Sequence, residues 1–143
     1  MKRAISVLIT VLMVFLLAVP AFAADSTTSS TQSVMSPQFT NIWSMSASVT
    51  IDASGLADCS GSVTPSSNAY TTTLTISLQL KSGSTWSTIK SWSGAAAGQP
   101  GTVLEGFYYV GKGTYRVSST ANVYTSIGGL LETATYSSPE RTL

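Results

Sequence analysis

From residue 39 onward this chain alternates between side chains that avoid water and small hydroxyl side chains. Trp43, Met45, Ala47, Val49 and Ile51 are separated by Ser44, Ser46, Ser48 and Thr50, and Leu74, Ile76, Leu78 and Leu80 alternate with Thr73, Thr75, Ser77 and Gln79. A period of two places one set on each face of an extended strand, so such a segment is stable where one face is covered and the other is wet. Weaker versions run through Ala57, Cys59, Gly61 and Val63, from Trp86 to Trp92, from Val103 to Val110, through Tyr115, Val117, Ser119, Ala121 and Val123, and from Leu130 to Ser137. Between them lie residues that turn a chain: Asp52-Ala53-Ser54-Gly55, Thr64-Pro65-Ser66-Ser67-Asn68, Ser82-Gly83-Ser84, a loose Gly94 to Gly101 stretch, Gly111-Lys112-Gly113 and Gly128-Gly129. Nothing after residue 23 has a helical period. Seven short strands at this spacing predict an all-β domain, a seven-stranded antiparallel β-sandwich over residues 39–138, with a barrel as the alternative. The absence of a fixed internal repeat argues against propellers and solenoids.

The first 23 residues obey a different rule. Lys2 and Arg3 precede an apolar run from Ala4 to Val19, then Pro20 and Ala21-Phe22-Ala23. That order of cations, apolar segment and small residues predicts a secretory signal peptide over 1–23, cleaved after Ala23. The apolar run is shorter than the roughly 20 residues of a spanning helix. Removing 23 of 143 residues leaves 120, enough for one domain. Eight of the fifteen residues 24–38 are Ser or Thr and few are apolar, which predicts a flexible leader, and 139–143 predict a short C-terminal tail. After cleavage five Lys and Arg face six Asp and Glu. So little positive charge excludes a nucleic-acid role and disfavours anionic membranes. The expected location is secreted, with no stable membrane insertion.

Gly113-Thr114-Tyr115-Arg116-Val117 resembles the corner that opens the sixth strand of immunoglobulin-like and fibronectin-like sandwiches, where a tyrosine hydroxyl bonds to upstream backbone. The lone Cys59 lies where the second strand of antibody domains carries one half of a disulfide, but Val117 occupies the other half's place. Cys59 is therefore expected as a buried small hydrophobe. Gly55-Leu56-Ala57-Asp58-Cys59-Ser60-Gly61, Leu78-Gln79-Leu80, Trp86 and Trp92 together are similar to a family of small exported proteins of unknown function in Gram-positive bacteria. That resemblance implies a secreted immunoglobulin-like sandwich and brings no activity with it.

Chemistry is sparse. There is no histidine, which removes the usual proton shuttle and the commonest metal ligand. Glu105 and Glu132 are the one carboxylate pair to nominate for glycoside hydrolysis, and solvated strand residues account for both more simply. The serines have no base beside them. Asp52 and Asp58 could offer oxygens to calcium, yet Asp-Ala-Ser-Gly is also what an ordinary turn requires. No catalytic, cofactor-binding or metal-binding residue is assigned, and no cofactor or enzymatic activity is expected. The aromatic residues are what remains. Phe107, Tyr108 and Tyr109 are consecutive, so strand geometry turns at least one away from the core. Trp86, Trp92, Phe107 and Tyr109 form the candidate binding surface, although a place as core aromatics between two sheets accounts for Trp86 and Trp92 more simply. The expected function is a non-enzymatic binding module for cell-wall polysaccharide or another extracellular protein. An antimicrobial or toxin-like protein is the alternative and an extracellular hydrolase the weakest. Low charge and hydroxyl-covered strands leave self-association open.

Overall fold

The computed structural model describes residues 39–143; the predicted signal peptide (1–23) and leader (24–38) lie outside the described residues. Alternation becomes strands β1 (Ile42–Ile51), β2 (Leu56–Pro65), β3 (Thr71–Ser82), β4 (Thr85–Ala97), β5 (Thr102–Tyr109), β6 (Thr114–Tyr124), β7 (Leu130–Ser137) and β8 (Arg141–Thr142). Every pairing is antiparallel. The strands form two sheets rather than a closed barrel: β1-β2-β5, and β4-β3-β6-β7 with β8 added beside β6. The described residues are an all-β sandwich of seven main strands without a helix.

Two elements differ from the sequence-based expectation. The stretch read as a short tail is tied down, since Arg141 and Thr142 pair with Tyr115 and Thr114 and Leu143 N–H donates to the Gly113 carbonyl at 3.1 Å. In addition, β4 runs on through Gly94–Ala97, part of the stretch read as loose. Glycine and alanine have little strand preference of their own, but here they complete a ladder with Thr71–Leu74 of β3, and pairing overrides propensity.

The core lies between the sheets and is filled from the three central strands. Ala57, Cys59 and Val63 of β2 face Leu74, Ile76 and Leu78 of β3 and Val117, Ala121 and Val123 of β6, all buried. Large side chains on β3 meet small ones on β2, and the sheets approach closely at Gly61. A Cβ there would collide with Ile76 Cγ2 and the Ser119 hydroxyl, and the latter is buried without a hydrogen-bond partner. Buried polar links hold the rim. Thr72 and Thr102 join their hydroxyls across the two sheets at 2.7 Å, and the Tyr115 hydroxyl donates to the Gly111 carbonyl at 2.9 Å. Glu132 turns inward at the other flank and accepts from the backbone N–H groups of Thr40 and Asn41, fixing where β1 begins.

Register also fixes which loops share an end. Ile42 pairs with Pro65, Thr71 with both Ala97 and Tyr124, Val63 with Thr102, and Tyr124 with Leu130. The start of β1, the β2–β3 loop, the β4–β5 loop and the β6–β7 turn therefore lie at one end of the sandwich.

The contact at Gly61 generates a pair of opposite mutational outcomes. Gly61→Ala forces the sheets apart or displaces Ile76 and should cost about 1–3 kcal/mol of stability in urea unfolding. Ser119→Ala removes a stranded hydroxyl and should be neutral or stabilising by up to about 1 kcal/mol. Because both groups meet at one point, the double variant should recover part of the Gly61→Ala loss. A destabilising Ser119→Ala would show that its hydroxyl has a partner.

Candidate functional site

Along β5 the inward positions are Thr102, Leu104 and Gly106, and the outward ones Val103, Glu105, Phe107 and Tyr109. The outward apolar side chains are left in water: Val103 is 68% exposed, Phe107 55% and Tyr109 70%. Since β5 is an edge strand of the smaller sheet, these side chains form a row along one border of its outer face. Phe107 and Tyr109 are two residues apart and stand about 7 Å from each other. Tyr108 points to the opposite side, level with the buried Ala57.

The other two candidate aromatics do not join that row, and a β-bulge explains why. Trp86 and Trp92 are six residues apart, so a regular strand would put them on one face. In β4, however, Leu78 of β3 pairs with Lys90 and Gln79 with Thr88, leaving Ile89 as an extra residue. One inserted residue moves everything beyond it to the other face. Trp92 consequently pairs with the inward Ile76 and packs into the sandwich against Gly106, where a Cβ would collide with its indole ring. Trp86 pairs with the outward Lys81 on the far face of the larger sheet. There its ring meets Arg116 Cζ at 4.2 Å and Lys81 Nζ at 5.4 Å, a cation–π arrangement steadied by Arg116 Nε donating to Gln79 and by the Lys81–Glu140 ion pair at 3.0 Å. The four nominated residues thus occupy three places: Phe107 and Tyr109 together, Trp92 between the sheets, and Trp86 on the opposite surface.

A second bulge exposes an aromatic residue that the alternation assigned to the core. Ile42 pairs with Pro65 and Ser44 with Thr64, so Trp43 is the extra residue in β1. Ile42 takes the buried place and Trp43 is turned out, 79% exposed. The adjacent apolar pair Ile42-Trp43 was the available sequence signal, because a strict period of two never puts both inside. The indole borders an open cleft of ≈ 630 Å³ lined also by Thr64, Ser66, Gln99 and Pro100, at the end where the β2–β3 and β4–β5 loops meet.

The carboxylates are dispersed. Glu105 lies on the outer face of β5, whereas Glu132 is engaged by Thr40 and Asn41 at the opposite flank, so the pair does not converge on one cleft. Asp52 Oδ1 accepts from the Ser54 hydroxyl at 2.6 Å and from the backbone N–H groups of Ser54 and Leu56 at 2.8 and 3.0 Å. Those donors, the Ser54 hydroxyl first, hold its carboxyl below the ordinary range. The arrangement is a side-chain-stabilised turn. Asp58 stands on β2 across from Phe107. Among the described residues, no three His, Cys, Asp or Glu side chains group together. Elsewhere the outer faces are covered by hydroxyls bonded to each other, as in Thr75–Ser93 at 2.8 Å, Ser77–Ser91 at 2.9 Å and Ser46–Ser62 at 2.7 Å.

Comparison with protein-family models, with curated proteins and with solved structures gave no match to this chain.

Cys59 is a free thiol inside the sandwich, and burial, aided by Asp58 next to it, pushes its pKa up to about 12. The folded protein should resist iodoacetamide at neutral pH and react fully once unfolded. The folded state favours the protonated thiol, so its contribution to stability is complete below the unfolded-chain pKa of about 8.5 and is lost as pH rises from there towards about 12. Unfolding titrations of Cys59→Ala, which has no proton to lose, should show a flatter decline over that alkaline window; an identical decline would remove the thiol as its cause.

Proposed function

We propose that this chain is an exported, non-enzymatic binding module built on an immunoglobulin-like or fibronectin-like sandwich, and that the outer border of β5 is its contact surface for cell-envelope polysaccharide or another extracellular protein. The observation that carries the proposal is the exposure of Val103, Phe107 and Tyr109 in one row. A phenylalanine and a tyrosine forgo a large burial by facing water. Stiff aromatic side chains lose little conformational freedom on contact, which suits them to binding surfaces. Export rests on the cationic, apolar and small-residue segments of residues 1–23.

Two observations support the sandwich type. Strands β1, β2 and β5 stand against β3, β6 and β7 in the arrangement common to immunoglobulin-like domains, and β4 beside β3 rather than beside β5 is the fibronectin-like variation. The Tyr115 hydroxyl reaches back four residues to the Gly111 carbonyl, as the tyrosine of such a corner does.

Sedimentation of the purified protein with cell walls and insoluble polysaccharides tests the proposal. The wild type should be retained, and Phe107→Ala with Tyr109→Ala should weaken retention tenfold or more, about 1.4 kcal/mol, with Tm moved by no more than about 3 °C. Trp92→Ala is the contrasting control, since emptying the space over Gly106 should cost about 2–4 kcal/mol of stability. Unchanged retention in the double variant would sink the assignment of this surface.

A further inference from the structure

We propose that the cleft beside Trp43 binds a single uncharged sugar ring, so that a neutral polysaccharide is the ligand class of the module. This rests on the binding-module reading above and narrows it from two partner classes to one.

The cleft has the composition a pyranose requires. Such a ring is apolar across its C–H face and polar around its rim. Trp43 and Pro100 supply flat apolar surface, and Thr64, Ser66 and Gln99 supply hydroxyl and amide groups around it. None of the five lining residues is ionisable, so nothing there would neutralise a phosphate, a carboxylate or an ammonium group. The volume of ≈ 630 Å³ falls within the range of small-molecule sites.

The loops and the Gln99 side of the site are also held in shape before any ligand arrives. Gln99 N–H donates to Asn68 Oδ1 at 3.0 Å, its Nε2 donates to the Pro65 carbonyl at 2.9 Å, and Gly98 N–H donates to the Tyr70 carbonyl at 2.7 Å. Ser66 N–H donates to the Asn41 carbonyl at 2.9 Å, tying the β2–β3 loop to the segment that leads into Trp43. The same bonds orient the Gln99 amide; among the described residues, its Oε1 and the Thr64 and Ser66 hydroxyls make no hydrogen bond. A site fixed in advance loses little freedom on binding.

Continuity with β5 favours a polymer over a lone monosaccharide. Val103 pairs with Ser62, one outward position along β2 from Thr64, and Glu105, Phe107 and Tyr109 follow on the same face, the carboxylate standing between the apolar side chains. From Val103 to Tyr109 the row extends about 20 Å at roughly 3.3 Å per residue, so a glycan whose end ring sits on Trp43 can continue along it.

The test uses isotope-labelled exported protein, whose three tryptophan indole N–H signals report Trp43, Trp86 and Trp92 separately. Chitohexaose, cellohexaose, xylohexaose and maltohexaose are titrated in turn to about 10 mM, high enough to detect Kd values near 1 mM. At least one should shift the Trp43 signal saturably and leave Trp92 in place, and the responding sugar distinguishes an amino-sugar backbone from plain glucan or xylan. Trp43→Ala should weaken that binding at least tenfold and Trp43→Phe should restore part of it; because the side chain is mostly in water, Tm should barely move. No Trp43 response to any of the four, or equal affinity in Trp43→Ala, overturns the inference. Wall retention that survives Trp43→Ala and fails in the Phe107 and Tyr109 double variant removes the cleft but keeps the module. A Trp43 response without any wall or polysaccharide retention keeps the cleft and removes the β5 surface.

Discussion

The close approach of the two sheets at Gly61 governs how the rest of the molecule is arranged. Facing sheets normally stand about 10 Å apart with side chains interleaved between them. Here β3 contributes Leu74, Ile76 and Leu78 in succession, and β2 answers with Ala57, Cys59, Gly61 and Val63. The glycine leaves room for Ile76, and no atom on β2 fills the same space. The stranded Ser119 hydroxyl belongs to this contact: on β6, beside Ile76, it faces a position with no side chain and no polar group to meet it. Tight packing at the centre has thus been reached at the expense of one unpaired polar atom.

A core filled by aliphatic and small residues has no central space for an indole or a row of phenyl rings, and the positions of the aromatic residues follow. Trp92 finds room only at the rim, and only because Gly106 offers a bare backbone beneath it. Tyr115 enters with its hydroxyl secured by the Gly111 carbonyl. Phe39, Tyr70 and Tyr136 pack against the border of the core, whereas Trp43, Trp86, Phe107 and Tyr109 are turned outward, two of them by bulges that restore the inward pattern afterwards: with Trp43 as an extra residue, Met45, Ala47 and Val49 still face the core, and with Ile89 inserted, Trp92 faces it while Trp86 does not. The bulge in β4 also interrupts its free edge, and Lys90 stands on the inward side there, paired with Leu78; both features obstruct edge-to-edge pairing with another strand.

Strand period is legible in this sequence because the central strands obey it over most of their length. In β2, β3 and β6 the buried and half-covered positions alternate through most of each strand, so these three could be written down with the correct inward residues. Edge strands have one neighbour fewer and tolerate insertions, and that is where reading the period fails. Nothing local distinguishes Trp43 inside from Trp43 outside except its apolar neighbour Ile42, and nothing local marks Ile89 as surplus. Strand β8 is two residues long and exists through its pairing with Thr114 and Tyr115, a contact with no periodic signature. For the candidate site, the consecutive Phe107, Tyr108 and Tyr109 required an outward aromatic, and Phe107 and Tyr109 are outward. The Trp43 cleft combines residues from β1, the end of β2 and the β4–β5 loop, and only the folded register unites them.

The distribution of polarity bears on what such a surface selects. Most outward hydroxyls of the larger sheet are already paired across strands, and a paired hydroxyl gains little by exchanging its neighbour for a ligand. Trp86, too, is engaged by Arg116 and Lys81. Among the described residues, exposed aromatic rings and hydroxyls without a hydrogen-bond partner are found instead on the smaller sheet's outer face and at the loop end beside it: the indole of Trp43, the hydroxyls of Thr64 and Ser66, and the rings of Phe107 and Tyr109. Net charge close to zero adds no long-range attraction, so association at the proposed surface would depend on short-range stacking and hydrogen bonding that match in shape. Weak contacts of that kind gain strength by repetition along a chain, because once one ring is seated the next is already close to its own aromatic partner. A repeating, uncharged polymer meets that condition, whereas a compact charged partner would find neither a counter-charge in the cleft nor a use for the length of the row.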